Sequence, residues 1–317
     1  MNSASSDRTD ATATTTRPEQ SASTQHVLVI GIDGVRYDTL RRLPTPGIDA
    51  IADGGFLAPV RVNEAGPTIS GPSWATVFTG VLADRHLIMN NDFAGHRLEE
   101  FPDLIRLAQT QRPGLPAFVG AAWLPLVSEL SGGPMFADGG YVPDLEIGEG
   151  AWDALDEQVT SEAIRFIGEH DSEQGSLVVC YLGSPDEVAH SEGAGAEYEE
   201  AIKASDARVG RLLAAIAART DEEWTVIAVT DHGHVDEGGH GGDTDEERTA
   251  WIAARGPFVR AVGQGVVPDR LEQADVAAHA MATLQITESA WAYMTGRPFH
   301  GLRTRLDGAA AAADLPR

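Results

Sequence analysis

Short apolar runs alternate with amphipathic stretches along most of the chain. The apolar runs are rich in β-branched residues and end at Gly, Pro or polar clusters, which is typical of buried strands. The predicted strands are Val27–Ile32, Phe56–Val62, Ala117–Trp123, Leu177–Leu182, Trp224–Thr230 and Ala250–Ala254. Elsewhere apolar positions recur every three or four residues, which predicts helices. The predicted helices are Thr45–Ala52, Trp74–Phe78, Pro102–Gln111, Ala151–Glu169, Tyr198–Ala218 and Ala274–Leu284.

This alternation predicts an α/β fold with a mostly parallel central sheet and helices on both faces. Residues 1–25 are rich in Ser, Thr and Ala and cannot bury a core, so we expect a disordered tail there and a single domain over 26–317. Pro125–Gly150 is rich in Gly and Pro without a clear period, which favours a small cap insertion over about 92–150. Ser70 or Ser73 is a candidate N-cap for the helix at Trp74.

Asp and His residues follow three of the predicted strands. Asp33 ends the first strand, Asp186 and His190 follow the fourth, and Asp231-His232 ends the fifth. In open α/β sheets, sites form in the crevice outside the carboxyl ends of the strands, so these side chains should meet at one edge. A single Asp in such a place is usually a turn or cap residue, but three ends together indicate a metal site. The mixture of imidazole and carboxylate suits Zn²⁺, and Mn²⁺ or Fe would also accept it.

The segment Thr68–Trp74 places hydroxyl groups just before a predicted helix. A helix N-terminus favours an anion, because its backbone N–H groups and dipole point at the ligand. A neighbouring metal would lower the pKa of such a hydroxyl and make it a nucleophile. The alternative is that the Ser hydroxyl only caps the helix.

Composition narrows the choice of partners. Among 317 residues, 48 are Asp or Glu and 23 are Lys or Arg, which gives a net charge of −25. This charge disfavours duplex nucleic acid and anionic membranes, since both require a basic face. No apolar run approaches the roughly 20 residues of a membrane span, and no signal peptide is seen, so we expect a cytoplasmic location. Cys180 lies in an apolar run and is expected to be a buried structural thiol.

The motifs resemble those of the alkaline phosphatase superfamily, and within it the nucleotide pyrophosphatase/phosphodiesterase branch. The family patterns Asp-Gly-x-Arg, the nucleophile segment with its paired Asn, Pro-Asp-x-x-x-His, Asp-His-Gly and a final His-Gly all occur in the right order. They fall on Asp33–Arg36, Ser70–Ser73 with Thr79-Gly80, His86 and Asn90-Asn91, Pro185–His190, Asp231–Gly233 and Gly239–Gly241. The resemblance covers roughly residues 26–300 and implies the alkaline-phosphatase-like fold.

The resemblance also implies two divalent metal ions, Zn²⁺ by preference or Mn²⁺, and a small-molecule phosphoester substrate. The implied ligands are Asp186, His190 and His240 for one ion, and Asp33, Asp231, His232 and the Ser70 hydroxyl for the other. The implied catalytic and substrate-binding residues are Ser70 as nucleophile, Asn91 and the Gly71 N–H at the phosphoryl oxygens, and Arg36 as a loop brace or substrate contact.

The sequence departs from the branch at three places. Ser70 stands where the diesterases usually have Thr, Ser73 replaces an Asn, and Gly71 stands where nucleotide-cleaving members often carry a Phe that stacks on the base. A nucleotide substrate is therefore disfavoured. His234 competes with His240 as a ligand, and Thr68 is the second candidate nucleophile.

The function implied is a phosphodiesterase or pyrophosphatase with a phosphoseryl intermediate. A phosphomonoesterase is the alternative, because alkaline phosphatases proper use Ser. A sulfatase is a further alternative, since Ser70–Ser73 fits Cys/Ser-x-Pro-Ser-Arg, although Trp74 replaces the Arg. A non-catalytic metal-binding module is disfavoured by the hydroxyl nucleophile. His86 is expected to be structural, and the histidines that show no pairing at metal spacing are His26, His96, His170, His279 and His300.

Overall fold

The computed structural model describes residues 24–129, 132–144, 151–170, 173–264 and 270–299. Residues 1–23 of the predicted tail lie outside this set. Gln25, which we had placed in the tail, is instead the first residue of a strand and pairs with Glu223. The domain boundaries at 26 and 317 stay a prediction.

The central sheet contains seven strands among the described residues. They are β1 (Gln25–Ile32), β2 (Gly55–Arg61), β3 (Ala117–Ala121), β4 (Ser176–Leu182), β5 (Glu223–Val229), β6 (Thr249–Arg255) and β7 (Gly263–Gln264). Their order is β3-β4-β1-β5-β6-β2-β7. Strands β3, β4, β1 and β5 run parallel, β6 runs antiparallel to both of its neighbours, and β7 is parallel to β2. The mostly parallel sheet is therefore confirmed, with one reversed strand.

Helices cover both faces of the sheet. They are α1 (Tyr37–Arg42), α2 (Pro46–Asp53), α3 (Ser70–Thr79), α4 (Ala83–His86), α5 (Leu104–Gln111), α6 (Trp152–Glu169), α7 (Ser184–Glu192), α8 (Ala196–Ala217), α9 (Asp245–Arg248) and α10 (Asp275–Thr283). Alternate residues of β1 face opposite cores: Val27 and Val29 pack with α3, α5 and α10, whereas Leu28 and Ile30 pack with α2, α6 and α8. Both faces of the sheet are thus buried, as a parallel sheet requires.

The small cap insertion predicted over 92–150 is not confirmed. Helix α5 and strand β3 fall within this range, yet β3 is an edge strand of the main sheet. Further along, Met135 and Phe136 are buried in the core, and Tyr141 forms a bridge to Gly120 beside β3. Where it is described, this segment therefore completes the sheet edge and the core beneath it.

Two smaller expectations can also be checked against the structure. The predicted caps of α3 are wrong, because its N-cap is Ile69 and no side chain caps its N-terminus. Cys180 is buried, as predicted. None of the helices in the described ranges is long and apolar enough to cross a membrane.

Candidate active site

The carboxyl ends of β4, β1 and β5 lie side by side, because these strands are adjacent and parallel. Asp33 follows β1 and Asp231 follows β5. Helix α7 begins two residues after β4 and carries Asp186 in its first turn. His190 lies four residues further along the same helix, so it shares a face with Asp186. The sheet topology therefore brings together the side chains predicted from the three strand ends.

The first ligand cluster consists of Asp33, Asp231 and His232, all fully buried. Asp33 Oδ1 and Asp231 Oδ2 are buried without a hydrogen-bond partner among the described residues, and they lie 3.7 and 3.1 Å from His232 Nε2. His232 Nδ1 is 3.1 Å from the Gly233 carbonyl oxygen. A carbonyl only accepts, so Nδ1 donates and Nε2 presents its lone pair to the cluster. Two orphaned carboxylate oxygens and one imidazole nitrogen fit a divalent cation.

The electrostatics of this cluster also favour a bound cation. Burial raises the pKa of Asp33, and repulsion from Asp231 and Asp186 raises it further. Burial, with repulsion from Asp186, raises the pKa of Asp231 to about 7. Burial lowers the pKa of His232, which keeps the ring neutral and able to act as a ligand. A positive ion would relieve the repulsion among the carboxylates.

The second cluster surrounds Asp186. His190 Nε2 lies 3.5 Å from Asp186 Oδ2 and 3.0 Å from His240 Nε2, and His240 Nε2 lies 3.7 Å from Asp186 Oδ1. His240 Nδ1 is 2.7 Å from the Thr68 carbonyl oxygen, which again leaves Nε2 facing the cluster. The rings of His240 and His232 stack with centroids 3.9 Å apart, so the two clusters are contiguous.

His234 also reaches Asp186. Its Nε2 lies 2.8 Å from Asp186 Oδ1, closer than His240, and its Nδ1 is 3.1 Å from the Gly238 carbonyl oxygen. The ring is completely buried, whereas the side chain of His190 is 43% exposed. The structure thus brings the competing ligand into the cluster alongside His240 rather than in place of it.

Gly34 separates the two clusters and must be glycine. Its φ is +67°, in the left-handed region. A Cβ at this position would lie 2.5 Å from His234 Nε2 and 2.7 Å from Asp186 Oδ1. The Gly34 N–H donates to Asp231 Oδ1 at 3.1 Å, which leaves Asp231 Oδ2 for the first cluster. The Asp-Gly pair is therefore explained by the close approach of the ligands to the backbone.

Ser70 is the first residue of α3, and its Oγ lies 3.3 Å from His232 Nε2. This contact places the Ser70 hydroxyl next to the first cluster. Thr68 is in a different position, since its Oγ1 donates to the Gly242 carbonyl and accepts from the Gly241 N–H, both at 2.9 Å. The Thr68 hydroxyl thus anchors the glycine-rich loop beside His240. The geometry favours Ser70 over Thr68 as the nucleophile.

Asn91 lies across the N-terminus of α3. The Gly71 N–H donates to Asn91 Oδ1 at 2.8 Å, which fixes the amide so that Nδ2 is its outward donor. The backbone N–H that we predicted to meet the phosphoryl group is therefore bonded to Asn91 in this structure. A Cβ at Gly71 would lie only 2.4 Å from the Asn90 carbonyl oxygen. The 90–91 segment thus occupies the space that a larger residue at 71 would need.

Arg36 is used as a brace. Its guanidinium donates to both carboxylate oxygens of Asp38, at 3.0 and 2.8 Å, and to Asp236 at 2.5 Å. These bonds join the start of helix α1 to the loop after β5, and the Arg36 backbone N–H donates to the Tyr198 hydroxyl at 2.8 Å. The structure favours the bracing alternative, because the hydrogen bonds of the guanidinium join these two segments to each other.

Several supporting residues escaped the sequence analysis. Tyr181 donates its hydroxyl to Asp33 Oδ2 at 2.5 Å, and Trp74 Nε1 donates to the same oxygen at 2.8 Å. Both side chains hold Asp33 so that Oδ1 points into the first cluster. The available signal was general: a buried Tyr or Trp usually places its polar atom on a partner.

Two buried acids hold the segments that carry the second cluster. Asp156 of α6 accepts from the Gly183 and Ser184 N–H groups, at 2.9 and 3.0 Å, where α7 begins. Glu247 accepts from the Gly242 N–H at 2.7 Å and forms a capping box with Thr244. The first contact positions Asp186 and His190, and the second positions the loop of His240. His86, as expected, is buried in a structural contact with Thr76.

The sequence model of the type I phosphodiesterase / nucleotide pyrophosphatase family matches residues 27–252, which include both ligand clusters and Ser70. The chain belongs to this family. A relative from the fission yeast Schizosaccharomyces pombe, described as an uncharacterized pyrophosphatase/phosphodiesterase, is 24% identical over 235 residues. The alignment covers 71% of this chain and 47% of the relative, so the chain spans about half the length of that protein.

Solved structures of other proteins share the fold of this family member. Murine ectonucleotide pyrophosphatase/phosphodiesterase 5 superposes with a TM-score of 0.61 at 17% identity, covering 83% of this chain and 96% of the mouse chain. A putative sulfatase from Bacteroides thetaiotaomicron superposes with a TM-score of 0.68 at 13% identity, covering 87% and 73%. Both likenesses confirm the alkaline-phosphatase-like fold. At such low identities they do not distinguish phosphate from sulfate esters.

Proposed function

We propose that this protein is a two-metal hydrolase of phosphodiesters or pyrophosphates in which Ser70 is the nucleophile. The observation that carries the proposal is the position of the Ser70 hydroxyl, 3.3 Å from His232 Nε2 and beside the orphaned oxygens of Asp33 and Asp231. Family membership supports the reaction class. The structure of the murine relative with AMP makes nucleotides rational test substrates.

Two neighbouring ligand sets would hold the ions. They are Asp33, Asp231, His232 and the Ser70 hydroxyl for the first, and Asp186, His190 and His240 for the second, with His234 bonded to Asp186. The nitrogen and oxygen donors favour Zn²⁺. When bound, the ions supply positive charge that activates the hydroxyl and offsets the charge on the entering and leaving oxygens. The positive charge of the ions would also offset, at the site, the protein's net charge of −25, which would otherwise repel an anionic substrate.

The residues of the chain divide the reaction into two displacements. Ser70 Oγ forms a bond to phosphorus while the bond from phosphorus to the leaving oxygen breaks, and the hydroxyl proton passes through solvent to the leaving oxygen, which departs as an alcohol or phosphate. Water then attacks the same phosphorus, the Ser70–phosphorus linkage breaks, and Ser70 regains its proton as the phosphate product leaves. Asn91 Nδ2 donates to a non-bridging oxygen and stabilises the charge that develops there.

Position 71 limits how the leaving group or nucleoside is held. Nucleotide-cleaving relatives often stack a Phe on the base there, but at Gly71 the Asn90 carbonyl oxygen fills the space that a Cβ would need. We therefore propose that base stacking at this position does not contribute to recognition. Trp74 stands where the sulfatase segment has Arg, and its Nε1 is committed to Asp33, so a sulfatase is the weaker alternative.

The decisive assay is a substrate panel run on the zinc-loaded protein. Bis-p-nitrophenyl phosphate, p-nitrophenyl phosphate and p-nitrophenyl sulfate share one chromophore and differ in the bond cleaved. We expect kcat/KM for the diester to exceed that for the monoester by at least about tenfold, with no sulfate turnover; one decade corresponds to about 1.4 kcal/mol. Equal or faster cleavage of the monoester would assign the protein to the monoesterases instead.

Ser70→Ala and Ser73→Ala form a matched pair for the same panel. Both serines lie in the first turn of α3, but only Ser70 Oγ contacts a predicted ligand, His232, whereas the buried Ser73 Oγ has no hydrogen-bond partner among the described residues. We expect Ser70→Ala to bind zinc and lose turnover, and Ser73→Ala to keep both. Equal losses in the two variants would indicate damage to α3 rather than removal of a nucleophile.

A further inference from the structure

A further group of side chains with metal-ligand chemistry lies at the opposite ends of the strands, where β1 and β5 begin. His26 is near the start of β1, His170 directly follows α6, and Glu222 directly precedes β5. The sequence shows no pairing among these residues, and only the fold brings them together. Along β1, His26 is roughly 23 Å from Asp33 at about 3.3 Å per residue, so this group is separate from the active site.

The donor atoms of this group converge. One nitrogen from each ring and one carboxylate oxygen lie within 4.8 Å of one another, the same limit that encloses Asp33, Asp231 and His232 in the active site. His26 Nε2 is 3.9 Å from Glu222 Oε2, and the His26 and His170 rings have centroids 5.6 Å apart in an edge-on arrangement. Side-chain rotations that move the donor atoms by about 1 Å would bring them to the 2.0–2.2 Å bond lengths that Zn²⁺ requires.

Two of the donor atoms are buried and have no hydrogen-bond partner in the part of the chain that the structure describes. They are His26 Nε2, on a residue with no exposed surface, and His170 Nε2. Each ring is held through its other nitrogen: His26 Nδ1 contacts Ser176 Oγ at 2.9 Å, and His170 Nδ1 lies 3.0 Å from the Phe166 carbonyl oxygen. Because that carbonyl can only accept, the His170 Nδ1 donates and its Nε2 carries the lone pair. Such backbone contacts orient the histidines of metal sites in the same way.

Glu222 is held in place as a carboxylate. Arg219 donates to its Oε1, and Trp224 Nε1 donates to its Oε2 at 2.8 Å. The Glu222 side chain is only 5% exposed. Beside it lies a cleft of about 480 Å³, lined in part by Glu222, Trp224 and Arg255, which provides a route from solvent. The positive charge of Arg219 weakens cation binding here relative to the active site.

We propose that His26, His170 and Glu222 form a third metal site, which takes Zn²⁺ or a related divalent transition ion with water completing its coordination. Two imidazoles and one carboxylate are a ligand set that such ions accept. The ion ties the end of α6 to the starts of β1 and β5, so its role is structural. This inference does not rest on the proposed function of the active site.

Equilibrium dialysis against saturating free Zn²⁺ tests the site, with zinc per chain measured by mass spectrometry. The variants are His170→Ala and Glu222→Gln, and the matched control is His96→Ala, which removes an exposed histidine outside both regions. We expect both variants to bind one equivalent of zinc fewer than the wild type and the control. We also expect zinc to raise their unfolding temperature less than that of the wild type.

The test compares the number of zinc ions bound per chain by variant and wild type, so it does not depend on how many ions the active site binds. Equal zinc content in the wild type and both variants would overturn the third site. Loss of one equivalent in His96→Ala as well would also overturn it, because the loss would then not be specific to the cluster.

Discussion

Removal of the Tyr181 hydroxyl should weaken zinc binding at the first cluster without changing any of the proposed ligands. It donates to Asp33 Oδ2 from a buried position at 2.5 Å, and within the described ranges Trp74 is the other donor to that oxygen. A hydrogen bond to a charged group contributes about 1.5–3 kcal/mol, and Tyr181→Phe removes it with little change in volume. At about 1.4 kcal/mol per decade, we expect zinc at the first cluster to bind about 10- to 150-fold more weakly.

Tyr181→Phe should also shift the pH dependence of zinc binding. Burial raises the pKa of Asp33, and the Tyr181 hydrogen bond opposes that rise. Without it the carboxylate holds a proton to higher pH, and because the proton competes with the ion, zinc is released at a higher pH on acidification. The pH midpoint of zinc loss should therefore be higher in Tyr181→Phe than in the wild type.

The assay is a competition titration with a chromophoric chelator, repeated at several pH values. Tyr141→Phe is the control, since Tyr141 lies beside β3 and its hydroxyl contacts Gln158 away from the ligands. A folded Tyr181→Phe protein with zinc affinity within about twofold of the wild type and an unmoved midpoint would refute the reasoning. It would show that Trp74 alone is enough to orient Asp33.

Three further substitutions test the supporting contacts. Gly71→Ala places a Cβ 2.4 Å from the Asn90 carbonyl oxygen, so the carbonyl has to move. We expect kcat/KM to fall by about 10²-fold at unchanged zinc content. A fully active variant would show that the 90–91 segment can shift without displacing Asn91 from the site. Glu247→Ala frees the loop of His240, so the second ion should bind about 10- to 100-fold more weakly in chelator titrations, whereas exposed Glu246→Ala should bind normally. Burial raises the pKa of Asp156 to about 7, so its folded form holds the proton more tightly than the unfolded chain; its contribution to stability is present below pH 4 and is lost as pH rises to about 7. Asp156→Asn cannot titrate, and denaturant titrations should show the stability of the wild type falling relative to this variant between pH 4 and 7; a constant difference would contradict the assignment.

The sequence was most informative where chain order and topology coincide. Parallel strands deliver their following residues to one edge, so Asp33, Asp186 and Asp231 could be placed together before the fold was known. The helices that cover the two faces of the sheet could be predicted from the spacing of their apolar residues. The antiparallel direction of β6 could not be predicted, because an apolar run carries no information on whether its strand runs parallel or antiparallel to its neighbours.

Contacts between distant segments could not be predicted from spacing. The hydrogen bond from Tyr181 to Asp33 joins the ends of two strands, and Tyr181 looked like one more apolar residue of β4. His26 and His170 showed no pairing along the chain because the sheet edge alone brings them together. The caps of α3 were misjudged for a related reason: a Ser before a helix is usually its cap, but Ser70 lies inside the first turn and faces the ligands.

The most direct test of the central claim is the turnover of bis-p-nitrophenyl phosphate by zinc-saturated Ser70→Ala, compared with the wild type at equal zinc content. If Ser70 forms the bond to phosphorus, its removal should reduce kcat by at least about 10³-fold, since loss of a nucleophile removes far more than a single hydrogen bond. Turnover within about tenfold of the wild type would contradict the account and assign the attack to another group.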